Sequence, residues 1–210
     1  MFNGIGSAIG FMAGGGETSA WDPANKDANL TLSSSNFTAE LSTGIFDSGG
    51  VRSLTSKSSG KLYAELTLVV WNAGQSRGGF GVGTSANATT DTYFWGTDST
   101  SASYAEIGGG SVLYYNSGTS NSATTLAQGQ IIGLAVDVPN HLIYWSNNGT
   151  WQASGNPSAG TGGKNYITTN PIYLFAGLRH GTSGSGEKVT LNTGGSAFSY
   201  AIPTGFTAWG

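Results

Sequence analysis

The sequence predicts an all-β fold: a single antiparallel β-sandwich or jelly roll carrying a short N-terminal arm. Three observations lead there. Charged residues make up only 9% of the chain, against about 25% in an ordinary globular protein. Yet six Trp, nine Tyr and nine Phe are more aromatics than a disordered chain carries. The 35 glycines, with abundant Ser, Thr and Asn, supply turns. From Trp21 onward, apolar residues alternate with period two between clusters of those turn residues, the pattern of half-buried strands. No helical window follows residue 20, and cysteine is absent. A chain of 210 residues fits one domain and buries a core without metals or disulfides.

Taken in order, residues 1–20 form the arm and 21–210 the domain. Gly6, Gly10 and Gly14 recur every fourth position, with Phe2, Ile5, Ile9, Phe11 and Met12 around them. If helical, the glycines share one stripe open to close contact. Each costs an isolated helix about 1 kcal/mol relative to Ala. The arm is therefore either a tail or an anchor that orders against a partner or neighbouring copy. No basic residue precedes Lys26, so it does not read as a secretory signal. No stretch is long and apolar enough for a spanning helix.

LYAELTLVVW (62–71) places Leu62, Ala64, Leu66, Leu68 and Val70 on one face and Tyr63, Glu65, Thr67 and Val69 on the other. GGFGVGTS (78–85) is a glycine-rich strand, the mark of a bulge or close backbone approach. SVLYYN (111–116), IIGLAVDV (131–138), HLIYWS (141–146), PIYLFAGLR (171–179) and KVTLN (188–192) complete the core strands. Between two of them, Asn147-Asn148-Gly149 supplies the positive-φ residues of a tight hairpin. Asn148, like Asn29, Asn36 and Asn87, begins an N-x-[ST] pattern. In so Asn- and Thr-rich a chain, such matches arise by chance, and NNG reads as a turn.

The order GKLYAELTL (60–68), GFGVGTS (79–85), IIGLAVDVPNHLIYWSNNGTW (131–151), YLFAGLRHG (173–181) and VTLNTGGSAFSYAIPTGF (189–206) resembles the SPRY-type, concanavalin-like β-sandwich. That family has a "GKWYWEV"-like strand, an "IGVALD…LSFYKNG"-like hairpin and a closing "VTLNFG…F" segment. The resemblance covers about residues 44–210. Ala64 stands where the family has an aromatic, and Thr193 where it has Phe, which implies local repacking. The lead-in WDPANKDANLTLSSSNFTAELSTG (21–44) is similar to that of SPRY-like domains in tailed-phage virion proteins. The family is a scaffold and implies no activity by itself.

Catalytic signatures are sparse. A retaining glycosidase needs two carboxylates about 5 Å apart, and none of the eleven acids are spaced i, i+2. There is no G-x-S-x-G elbow. His141 beside a turn reads as a solvated surface residue, and His180 as a loop residue able to line a pocket. No metal-ligating cluster or cofactor motif stands out, although Asp91 and Asp98 bracket a weak candidate calcium loop. The net charge of −3 offers no footprint for nucleic acid.

What remains is a binding surface of aromatics beside polar groups. The candidate ligand-binding residues are Tyr93, Trp95, Asp98, Tyr115, Trp151, Arg179 and His180; Tyr104 and Trp145 are further aromatics. Strand alternation equally accounts for several of these as core. The expectation is a non-enzymatic virion component of a phage or phage-like particle, as a spike, fibre or decoration. It would be a homo-oligomer holding other virion proteins through Phe2, Ile5, Gly6, Ile9, Gly10, Phe11 and Gly14, with its loops engaging host-surface glycan. A free lectin or adaptor, a polysaccharide-cleaving enzyme and a membrane-active arm are the competing readings.

Overall fold

Period-two alternation commits each strand to one buried face, and here those faces meet between two sheets. The computed structural model describes residues 18–41, 48–72, 78–90, 100–107, 110–120, 123–166, 171–179 and 186–210. The strands in the first half are β1 (Trp21–Lys26), β2 (Leu30–Ser33), β3 (Thr38–Leu41), β4 (Ser48–Ser53), β5 (Lys61–Val70), β6 (Gly79–Gly83), β7 (Ser101–Ile107), β8 (Gly110–Tyr115) and β9 (Gly118–Ser120). The second half adds β10 (Ile131–Asp137), β11 (Leu142–Asn147), β12 (Thr150–Trp151), β13 (Lys164–Asn165), β14 (Tyr173–Arg179), β15 (Lys188–Asn192) and β16 (Thr207–Ala208). One sheet has the order β1-β4-β14-β6-β7-β8-β9, the other β12-β11-β10-β5-β15-β3-β2. β13 adds to the free edge of β11, and β16 continues beside β5 where β15 ends. All pairings are antiparallel except that of β16. Outside the strands, the described residues contain one 3-10 turn, Pro157–Ala159.

The core forms as the alternation predicts. Leu62, Ala64, Leu66 and Leu68 of β5 join Ile132, Leu134, Val136, Ile143 and Trp145 on one sheet. Phe80, Val82, Ala102, Tyr104, Leu174, Ala176 and Leu178 face them from the other. Trp145 Nε1 donates across the gap to the Phe80 carbonyl at 3.0 Å. The glycines of β6 serve close approach. A Cβ on Gly81 would fall inside the van der Waals shell of the Ala102 carbonyl, and one on Gly79 would lie 2.8 Å from that of Tyr104. The Asn148-Gly149 turn between β11 and β12 has φ of 46° and 77°, the two positive values a type I′ hairpin needs. Asn148 Oδ1 also accepts the Ile131 N–H at 2.9 Å. Pro23 sits in an edge strand, where its missing N–H does least harm.

The other face of β5 is not solvent-facing as simple alternation implies. Tyr63 and Glu65 are both buried, because residues 193–210 cross the outside of the sheet. Glu65 accepts the backbone N–H of Ser199 at 2.8 Å, that of Tyr200 at 2.9 Å and the Tyr63 hydroxyl at 3.0 Å. Tyr63, Ala135, Tyr144 and Phe206 form a second, smaller apolar layer there, with Leu142, Trp151 and Phe198 packed on it. Thr193 is fully buried and donates to the Ser19 carbonyl at 3.1 Å. It thereby ties residues 18–20 to the closing segment. Ala64 packs in the main core opposite Leu134.

Removing Glu65 strands two amides and a phenol at once. Glu65→Ala should cost about 3 kcal/mol, read as a shift in denaturant midpoint. A loss below about 1 kcal/mol would mean the closing segment is held by apolar packing alone.

Candidate functional site

The register places the sequence candidates at separate parts of the molecule. Tyr115 ends β8, paired with Ala102, and the neighbouring ladder runs through Ser101 and Gly83 to Tyr173. Arg179 ends β14 at the opposite end of the sandwich, paired with Ser48. Six residue steps separate Tyr173 from Arg179, roughly 20 Å at strand rise. Trp151 is half-buried on the outer layer over Tyr144. Tyr115, Trp151 and Arg179 therefore do not converge. Tyr104 and Trp145 are core residues, 0% and 1% exposed. Tyr93, Trp95, Asp98 and His180 lie outside the described residues, as do Asp91 and the arm residues Phe2, Ile5, Gly6, Ile9, Gly10, Phe11 and Gly14.

Around Tyr115 a cleft of about 270 Å³ opens, lined by Tyr115, Asn116, Gly118, Gly163, Lys164 and Asn165. It lies where edge strand β9 of one sheet meets edge strand β13 of the other. Asn116 and Ser117 both take positive φ, making a second tight hairpin that turns β8 into β9. Tyr115 is half-buried, its hydroxyl directed to the Thr119 carbonyl at 3.3 Å. The Lys164 ammonium stands 5.6 Å from the Tyr115 ring centroid, within cation–π range. Asn116 and Asn165 are exposed. The cleft thus joins an aromatic face, two primary amides and a cation.

Lys164 and Asn165 are the residues the sequence reading missed. Their signal is weak: one of eight cations, after two glycines, on a two-residue strand. They are held in place from below. Gly163 passes so close to Tyr144 that a Cβ would lie 2.6 Å from Tyr144 Cζ. β13 pairs with Leu142 and Ile143. The next residue, Tyr166, is buried and meets the His141 ring edge-on at 5.6 Å. His141 is therefore half-buried in its turn, with φ of 52°, rather than a solvated surface residue. Burial pushes the Tyr144 and Tyr166 phenols above their ordinary values, reinforced by the nearby Asp137 carboxylate.

Asp137 anchors the turn at this end. Lys61 Nζ lies 2.9 Å from its Oδ2, and Asn140 donates to it through backbone and side chain at 3.3 and 2.9 Å. Burial pushes the Asp137 carboxyl upward, but the bonds from Asn140 and Lys61 outweigh it and hold it below the usual aspartate range. The same pair raises Lys61 above the usual lysine value. Among the described residues, no group of three or more His, Asp or Glu could hold a metal ion. None of their helices is long and apolar enough to cross a membrane.

The architecture matches solved structures. The SPRY domain of human HERC1 superimposes with a TM-score of 0.57 at 19% identity, over 82% of this chain and 96% of that one. The TRIM65 PSpry domain gives 0.56 at 13% identity, over 83% and 92%. The fold is a SPRY-type β-sandwich. Stonustoxin matches over 83% of this chain and 27% of its own, with a TM-score of 0.55 at 18% identity. By sequence, no protein-family model and no curated protein matches the chain.

The Asp137 clasp carries a pH signature. Its folded carboxyl value lies below the unfolded value of about 3.9. Its contribution is therefore complete above about pH 5 and is lost as pH falls through the folded value. Lys61, raised, contributes below about pH 10.4 and loses that contribution as pH rises through its folded value. Asp137→Asn should melt lower than wild type by a constant margin between about pH 5 and about pH 9. Below about pH 4 the margin should shrink. A margin unchanged on further acidification would show that Asp137 is not the titrating group.

Proposed function

We propose that the chain is a non-catalytic binding module that holds a host-surface glycan in the Tyr115–Lys164 cleft. The observation that carries this reading is the composition of the cleft. A half-exposed aromatic ring offers a flat apolar face, the exposed amides of Asn116 and Asn165 offer donors and acceptors, and the Lys164 ammonium can take an acidic substituent. Loops and short edge strands on a rigid sandwich are where recognition is commonly carried.

The carboxylates favour binding over hydrolysis. Each of the buried acids Asp22, Asp27, Glu65, Glu106, Asp137 and Glu187 receives a hydrogen bond from another group of the fold. A group already serving as an acceptor for the scaffold is poorly placed as a general acid. The setting on a phage or phage-like particle, as a spike, fibre or decoration subunit, is carried by the resemblance of residues 21–44 to phage virion domains. The homo-oligomer and the contact with other virion proteins belong to the same reading. A free lectin or adaptor would use the same cleft without a particle.

A glycan array probed with the full chain, followed by titration of the strongest glycan, tests the proposal. Tyr115→Ala should weaken binding about tenfold, the loss of about 1.4 kcal/mol of ring contact. Lys164→Ala should weaken acidic glycans selectively, and Arg179→Ala, at the other end, should change nothing. Retention of no glycan, or equal retention by Tyr115→Ala, would remove the cleft from the function. Antibody labelling of purified particles would then decide the setting separately.

A further inference from the structure

A second concavity, of about 340 Å³, lies at the other side of the sheet that carries β15, and its walls include Thr18, Phe37, Thr190, Leu191, Gly195 and Ser196. Two of its polar side chains are engaged within the fold, and the hydroxyls of Thr18 and Ser196 lie at its exposed rim. The Thr190 and Thr38 hydroxyls bond each other at 2.9 Å. The Asn192 amide donates to the Ser196 and Ala197 carbonyls and accepts the Gly194 N–H. What the groove offers a visitor is the half-buried Phe37 ring and aliphatic surface. An apolar side chain would cover the Phe37 ring and aliphatic surface while the Thr190 and Asn192 side chains keep their bonds within the fold.

The chain itself arrives at this groove. Thr18 forms part of the wall, packed so closely on Gly195 that a Cβ there would lie 2.7 Å from Thr18 Cγ2. The direction of entry is fixed one residue later. Ser19 is fully buried, its carbonyl held by Thr193 and its hydroxyl accepting the Thr55 N–H at 3.1 Å. The 17 residues before Thr18 contain Phe2, Ile5, Ile9, Phe11 and Met12, and no charged side chain precedes Glu17. Gly14, Gly15 and Gly16 stand between Met12 and the groove, and glycine permits a sharp reversal at little steric cost. The six residue steps from Met12 to Thr18 can span up to about 20 Å, more than enough to double back.

We infer that the groove is the docking site of the chain's own N-terminal arm, with Phe11 and Met12 as the inserted side chains. The arm of a second copy would have to overcome the loss of translational and rotational freedom, about 4 kcal/mol or more. The tethered arm has already lost most of that freedom and acts at high effective concentration. The groove and the arm thus match in polarity, in position and in reach. The inference is independent of glycan binding at the Tyr115 cleft, which lies elsewhere on the sandwich.

A photo-crosslinking residue in place of Phe11 (Phe11→p-benzoylphenylalanine), in the full chain, tests it. Isotope-labelled and unlabelled protein are mixed before irradiation and the products mapped by mass spectrometry. The expected product is an intramolecular crosslink to the peptide containing Phe37 or to residues 190–196. Thr190→Lys, which sets an ammonium in the apolar groove, should lower its yield about tenfold; where that variant does not fold, Ser196→Trp serves to fill the groove. Mixed-isotope crosslinks would assign the groove to a second copy. Crosslinks scattered over the surface, or a yield unaffected by the groove variant, would overturn the assignment altogether.

Discussion

The buried carboxylate of Glu65 is the constraint on which much else depends. An ionised carboxylate away from water is costly unless donors surround it. Two successive backbone amides and a phenol meet that need here. Because the amides belong to Ser199 and Tyr200, satisfying Glu65 lays the closing segment across the sheet. That brings Phe198 edge-on to Tyr63 at 5.0 Å and Phe206 into the outer layer. The chain then rejoins the sheet as β16 and delivers Trp209 to the main core. Tyr144 packs in the same outer layer and lies under Gly163, so the position of Lys164 in the cleft rests on it. A carboxyl group in the middle of β5 and a cleft at the sandwich edge belong to one packed layer.

The long core strands were legible in the sequence because alternation and β-branched or aromatic content coincide there. β5, β10, β11, β14 and β15 all fall within a residue or two of the predicted runs. β4 and β7 were missed for the converse reason. Ser48-Gly49-Gly50-Val51 and Ser101-Ala102-Ser103-Tyr104 are mostly small residues, buried on both faces, so no period appears. The burial of Tyr63 and Glu65 was equally hidden. Their cover comes from residues more than 130 positions away, and no local pattern reports it.

The site was less legible than the fold. In the sequence Tyr115 reads as an aromatic among polar neighbours, and in the structure it lies in the wall of a cleft. Chemistry alone groups Arg179 with it in the sequence, but strand direction sets the two at opposite ends. Lys164 and Asn165 carried no signal because their role comes from pairing with Leu142 and Ile143 and from the close passage of Gly163 over Tyr144. Trp151 illustrates the ambiguity of a tryptophan beside a turn. It follows the Asn148-Gly149 hairpin and looks exposed in sequence, yet its body covers Tyr144.

The low charge of this chain acquires a physical sense from where its acids sit. Asp22 accepts from Ala24 and Asn25 in edge strand β1. Glu106 accepts the Trp71 indole at 2.6 Å, and Glu187 the Arg179 amide at 3.0 Å. Asp137 and Glu65 close a turn and the terminal segment in the same way. Charge is spent on joining segments that alternation cannot specify: turns, edges and the chain's end. A surface built mostly from hydroxyls, amides and partly covered rings has little long-range field with which to steer a partner. Recognition by such a surface must come from contact, from ring faces and matched amides at short range. The cleft between β9 and β13 provides such contact, and the groove beside Thr18 provides its apolar counterpart. One presents polar groups beside a ring and the other mostly apolar surface, and none of the buried carboxylates lines either of them.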